Sequence, residues 1–230
     1  MSAATLDQLA AWLYAELQEA APVKRAGPPG VTRLALALEP ADAPDVLNAD
    51  ALFLHRSRHA GDRWPGLGLL GAHDGFDRHL TTGPNVRLAR RLSWQDLTEI
   101  TWEGRVVGLS ARPPQRTWEG LRDALHAELG GEDASIPPGP PGLPYVALMN
   151  AMTPALIVQT AGLGVTAYLT GQLRPSAVPA ARQHGMGIVA LGHRRTELWG
   201  LHALARELRA AFPGLQTAVF EDRNVPPTVR

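Results

Sequence analysis

Short apolar runs, each stopped by a histidine or a Pro/Gly signal, alternate along this chain with stretches of helical periodicity. That alternation constrains the fold more than any other feature. A strand buried on both faces reads as a continuous apolar run, and a helix repeats its apolar residues every three or four positions. Runs at 31–38, 51–54, 67–72, 105–109, 145–149, 165–169 and 187–191 therefore read as strands, with 217–220 as a last one. Residues 5–20, 117–129, 154–161, 178–183 and 197–212 read as helices, the first carrying Leu6, Leu9, Leu13 and Leu17 on one face. No tandem repeat interrupts the pattern. The expected class is α/β, with mainly parallel sheets covered by helices. Residues 130–144 (GGEDASIPPGPPGLP) are too rich in proline and glycine for a helix or a central strand. The expected organisation is a first α/β lobe over 1–129, a linker over 130–144 and a second α/β lobe over 145–230.

Composition removes whole classes of function. The 22 basic and 22 acidic residues give a formal net charge of zero. A nucleic-acid binder usually shows a basic excess, so no nucleic-acid partner is expected. Without cysteine the chain forms no disulfide, thiolate zinc site, iron–sulfur cluster or cysteine nucleophile. Any metal must be held by His, Asp, Glu, water or carbonyl groups. No apolar run approaches the ~20 residues of a membrane span, so no membrane partner is expected. Residues 1–17 lack a basic n-region and contain Asp7 and Glu16, so they do not read as a signal peptide. The expected location is the cytoplasm.

Three strand-like runs end in histidine: 51–54 at His55, 67–72 at His73, and 187–192 at His193. In open α/β sheets, ligands gather at the carboxyl ends of strands. Two of these histidines have a carboxylate four residues on, His73 with Asp77 and His193 with Glu197. A helical turn puts each such pair on one face, within joint reach of a cation. Imidazole with carboxylate suits zinc, iron, manganese, cobalt or nickel. The plainer reading, surface or hydrogen-bonding histidines after strands, stays open on the residues alone. His59 and His79 flank the candidate site, while His126, His184 and His202 read as solvated or packing residues. The G-x-G-x-x-G spelling at 66–71 is filled with apolar residues and followed by His73-Asp74-Gly75, so it reads as strand and turn. The serines lack a nucleophile-elbow setting.

At these same positions the sequence resembles the Nif-three-like family, described as dinuclear-metal-centre hexameric proteins and as GTP cyclohydrolase type-two homologues. Tyr168-Leu-Thr-Gly171 resembles its Y-[IV]-T-G turn. Gly192-His-Arg-Arg-Thr-Glu197 with Gly200-Leu201 resembles its G-H-x-x-[ST]-E-x-x-G-L. The run into His55 resembles the strand before its His-His pair, and His73 to Asp77 resembles its H-[TE]-x-[LF]-D. Gly83-Pro-Asn85 with Leu88-Ala89 resembles the G-x-N-x-x-L-A that follows. The resemblance implies metal ligands at His55, Asp77, His193 and Glu197, with His73 a further site residue and Glu197 a bridging carboxylate if two ions are present. It also implies a ring-shaped homohexamer.

The chain departs from that pattern at four places. Arg56 stands where the second histidine of the pair is expected, Gln172 where an acid follows T-G, and Glu39 where an Asp closes the first strand. The early D-N-x-G-L is absent between Pro22 and Val31. A guanidinium stays protonated and cannot ligate. The expected centre is therefore mononuclear, or asymmetric with a second, weakly held ion. Arg56 would then put a fixed positive charge near the second position, and His59 could substitute as a ligand.

Two functions follow. One is a metal-dependent hydrolase-type enzyme in which a metal-activated water attacks a nucleotide-like or other small substrate, with Asp77 or Glu197 able to shuttle a proton. No residue set here reads guanine or a triphosphate, and no catalytic residue is assigned. The other is a non-catalytic metal-binding, carrier or interaction protein with a mononuclear or empty site. Whether the chain is an enzyme stays open. Where metal is held, one or two divalent ions are expected between the lobes, on His55, His73 and Asp77 from the first and His193 and Glu197 from the second.

Overall fold

The structure, a computed structural model, describes residues 3–139 and 142–229. Its helices are α1 (Leu6–Leu17), α2 (Asp74–Leu80), α3 (Val86–Arg91), α4 (Trp118–Leu129), α5 (Pro154–Gly162), α6 (Val178–Gln183) and α7 (His193–Ala211). Its strands are β1 (Val23–Arg25), β2 (Arg33–Ala37), β3 (Ala51–Leu54), β4 (Gly68–Gly71), β5 (Gln95–Trp102) and β6 (Arg105–Arg112). They continue with β7 (Ala134–Ile136), β8 (Val146–Met149), β9 (Ala167–Thr170), β10 (Gly187–Ala190), β11 (Gln216–Phe220) and β12 (Thr228–Val229). Side-chain caps fix several helix starts. Thr5, Thr117 and Thr153 accept from backbone N–H groups of the first turns of α1, α4 and α5, and Asn85 does the same for α3. Each such cap satisfies an otherwise orphaned donor and contributes about 1 kcal/mol.

The chain divides into two units with their own sheets. One comprises the residues up to Phe76 together with those from Leu198 on, and the other is Asp77–Glu197. The chain passes from one to the other inside α2 and returns inside α7.

In the first unit the strand order is β1-β4-β3-β2-β11-β12. The four inner strands are parallel, while β1 and β12 pair antiparallel at the edges. Continuous apolar runs made these inner strands readable, and every residue of β3 and β4 is buried. Leu9, Leu13 and Leu17 of α1 are fully buried, each contributing on the order of 1.5–3 kcal/mol. Ala35, Ala37, Leu52, Leu54 and Phe220 pack with Trp64 and Ala43 from connecting loops.

In the second unit the order is β5-β6-β8-β9-β10-β7. Only β8, β9 and β10 run parallel; β5, β6 and β7 pair antiparallel. Tyr168, Ile157, Ile188, Met186 and Leu156 form its core with Met152. Burial pushes the Tyr168 phenol above its ordinary pKa, and its hydroxyl donates to the Ala151 carbonyl at 2.6 Å.

The α/β class holds, with two sheets and helices, but the sheets are mixed rather than mainly parallel. The missing antiparallel pairs have a local cause. β5 (QDLTEITW) is largely exposed and polar, so it shows no apolar run. It is joined to β6 by Glu103 and Gly104, both with positive φ (49° and 76°), as a tight hairpin turn demands. The segment 130–144, expected as a linker, contributes β7 to the second sheet through Ala134, Ser135 and Ile136 opposite β10. The contacts divide the chain at Phe76/Asp77 and Glu197/Leu198 rather than in that segment. Residues 140 and 141 of it, like residues 1 and 2 of the segment read for a signal peptide, lie outside the described residues.

Candidate metal centre

His55 and His73 are delivered by neighbouring parallel strands. β3 and β4 run in register with Leu54 opposite Gly71. The ladder against β2 continues past the strand end, where the His55 N–H donates to Ala37 (3.2 Å) and the Arg56 N–H to Leu38 (2.8 Å). His55 therefore emerges at the carboxyl edge of the sheet with only 1% of its surface exposed. Its ring stacks on that of His73, centroids 4.9 Å apart and planes 15° from parallel, and on Phe76 at 4.5 Å. Phe76 is fully buried and also meets Phe53 of β3, at 6.1 Å. An aromatic wall thus sets where the two imidazoles lie.

Asp77 follows one turn later. The span from His73 to Asp77 is helical, since α2 starts at Asp74, so the four-residue spacing puts both side chains on one side. Among the described residues, His55, His73 and Asp77 form a group of three metal-competent side chains whose donor atoms all lie within 4.8 Å of one another. Two imidazole nitrogens and a carboxylate oxygen are ligands that divalent transition metals accept. The residues present fit such an ion.

His193 and Glu197 form their own pair in the second unit. Gly192 has φ +92°, and a side chain there would strike Arg195 and Asp133. Its N–H donates to the Gly171 carbonyl at 3.0 Å, extending the β9–β10 ladder as far as the residue before α7. His193 then opens the helix, with Nε2 3.0 Å from Glu197 Oε1. Glu197 is 1% exposed. In the same unit, a Cβ built on Gly171 would lie 3.4 Å from the Thr82 hydroxyl and 3.8 Å from His193 Nδ1. Thr82 is five residues beyond Asp77 in the chain.

The two departures at Arg56 and Glu39 pair with each other. Arg56 Nη1 donates to Glu39 Oε1 at 2.7 Å. His59 lies exposed in a short 3-10 turn over Ser57–His59, and His79 lies in the last turn of α2. His202 pairs with Glu221 at 2.8 Å, and His184 caps α6. The 66–71 glycine pattern is β4 with its approach. Sequence reasoning missed Glu19, whose carboxylate accepts from the N–H groups of His73 (3.2 Å) and Gly75 (3.0 Å). More than fifty residues separate these partners, and no local pattern signals such a contact.

The architecture has known counterparts. A solved protein described as ybgI, of unknown function, superposes with a TM-score of 0.72 at 21% identity, over 95% of this chain and 98% of that one. Curated relatives called GTP cyclohydrolase 1 type 2 homolog include one from Deinococcus radiodurans, 29% identical over 150 residues, or 64% of this chain. Another, from Pseudomonas aeruginosa, is 32% identical over 152 residues, also 64% of this chain. The matched stretches span 56% and 58% of those relatives' own lengths. The sequence model of Duf34/NIF3 (NGG1p interacting factor 3) matches residues 65–226. A match over that much of its length means that the chain belongs to the DUF34/NIF3 family.

Proposed function

We propose that this chain binds one divalent transition metal through His55, His73 and Asp77, and that it acts as a metal-dependent hydrolase on a small substrate. The observation that carries the reading is the convergence of three metal-competent donors within 4.8 Å. His193 and Glu197 belong to the proposed ligand set. They present imidazole and carboxylate 3.0 Å apart at the start of α7, and Thr82, close in sequence to Asp77, packs at the same Gly171 turn. Zinc, iron, manganese, cobalt and nickel all suit these donors.

A bound cation supplies Lewis acidity, polarising a carbonyl or phosphoryl oxygen and acidifying water. The residues around it do the rest. The stacked His55 and His73 rings and Phe76 fix the donors in place. Glu197, almost inaccessible and 3.0 Å from His193, moves a proton at its carboxylate only through an oxygen the cation does not hold. One ion rather than two is proposed because Arg56 cannot ligate and its guanidinium is committed to Glu39. The same loss favours the second reading, a metal-binding protein without turnover. A ring-shaped homohexamer in the cytoplasm is part of the proposal through the family resemblance, and sedimentation equilibrium reads the assembly.

Equilibrium dialysis against zinc or manganese, followed by elemental analysis, tests the stoichiometry. One tightly held ion per chain is expected; none, or two held equally tightly, contradicts it. Metal-dependent cleavage of simple phosphate esters or amides that stops on chelation separates the hydrolase from the binding protein.

A further inference from the structure

Glu19 lies outside every helix and strand, two residues past the end of α1. Its Oε2 nevertheless accepts from the His73 N–H at 3.2 Å and the Gly75 N–H at 3.0 Å. The approach is built into the backbone. A Cβ on Gly75 would lie 2.3 Å from the Leu17 carbonyl oxygen, so only glycine lets the start of α2 sit this close to the end of α1. The backbone on both sides of Asp74 is thereby tied to α1, whose Leu9, Leu13 and Leu17 are anchored in the core. At the ring itself, His73 Nδ1 lies 2.9 Å from Asp74 Oδ1. That contact occupies Nδ1 and leaves Nε2 as the ring nitrogen to face a cation.

We propose that Glu19 is the positioning residue of the metal centre: it clamps the His73–Gly75 backbone so that His73 presents Nε2 to the cation, while Asp74 occupies Nδ1. The inference rests on the metal-binding reading above. Half of the His73 side chain is exposed (52%), so packing alone does not hold it, and ordering it on binding costs conformational entropy. A backbone clamp settles that cost at folding. Asp74, with 92% of its side chain exposed, contributes less, as solvated pairs do.

Zinc affinity measured by competition with a chromophoric chelator tests this, alongside thermal melts of the metal-free protein. Glu19→Ala is expected to bind zinc about 10- to 100-fold more weakly. Glu19→Gln, which keeps an acceptor oxygen but no charge, is expected to stay within about threefold of the parent, because a clamp needs an acceptor and not a charge. Asp74→Ala should lose only a few-fold with its metal-free melting temperature unchanged. Glu19→Asp, which pulls the carboxylate back by one methylene, decides the matter if Glu19→Ala does not fold, and is expected to lose at least about fivefold. Undiminished affinity in the Ala or Asp variant, or a Gln variant as weak as Ala, overturns the role of Glu19. Parent protein that takes up no zinc overturns the metal reading itself, and this inference with it.

Discussion

Two of the groups that bring histidine together with carboxylate are composed for different ends. Around Glu132, Arg122 Nε donates at 3.1 Å and His126 Nε2 lies 2.9 Å from Oε2. Burial pushes the Glu132 carboxyl up, but hydrogen bonds from Arg122, Ser135 and His126 outweigh it and hold the acid at about 2. Glu132 in turn raises the Arg122 guanidinium. The cluster balances its own charge. His55, His73 and Asp77 instead bring together two imidazoles and one acid, every one able to ligate. A guanidinium among the donors makes an ion-pair network; its absence from the donor set makes a candidate metal centre. Distance between histidine and acid does not separate the two, but the chemistry of the third partner does.

Mutation should separate them most strongly in metal affinity. His55→Ala is expected to weaken zinc binding by at least about 100-fold, from loss of a ligand and of the ring stacked on His73. His126→Ala is expected to leave zinc affinity unchanged, and equal losses in the two variants would erase the distinction. Next in size, Glu132→Gln should lower stability by about 1–3 kcal/mol in urea unfolding, because Arg122 loses its charged acceptor, with zinc affinity untouched.

The same carboxyl makes a pH prediction. Its folded pKa lies at about 2, below the ordinary 4.5, so the folded state binds its proton less readily than the unfolded chain. The stabilisation is complete above the ordinary value and is lost as pH falls from about 4.5 to 2, amounting to roughly 3 kcal/mol. Glu132→Gln should flatten the acid limb of the stability curve; an unchanged limb places the titration elsewhere. The smallest effect is expected at the Arg56–Glu39 pair, which is partly solvent-exposed. Arg56→Ala should cost no more than about 1 kcal/mol, measured by the same unfolding, whereas a larger loss would make the pair a structural keystone.

The first sheet was legible because its inner strands are continuous apolar runs, and β3 and β4 hand their next residues to one edge. Short runs such as 51–54 therefore located His55, and helical spacing from His73 located Asp77. β5 was not legible, since its exposed Gln, Asp, Thr and Glu carry no apolar signal. β7 was hidden by its neighbours: three residues of strand sit inside a proline-rich stretch, paired to β10 by backbone bonds that any side chain permits. Glu19 and the Glu39–Arg56 pair were invisible for another reason. They join residues distant in sequence, and only the fold decides that they meet.

Crystals soaked in zinc and measured on both sides of its absorption edge test the central claim most directly. The account predicts one anomalous peak per chain, about 2.0–2.2 Å from an imidazole nitrogen of His55, one of His73 and a carboxylate oxygen of Asp77. A peak bound elsewhere with these three side chains bare, or no peak at all, contradicts it.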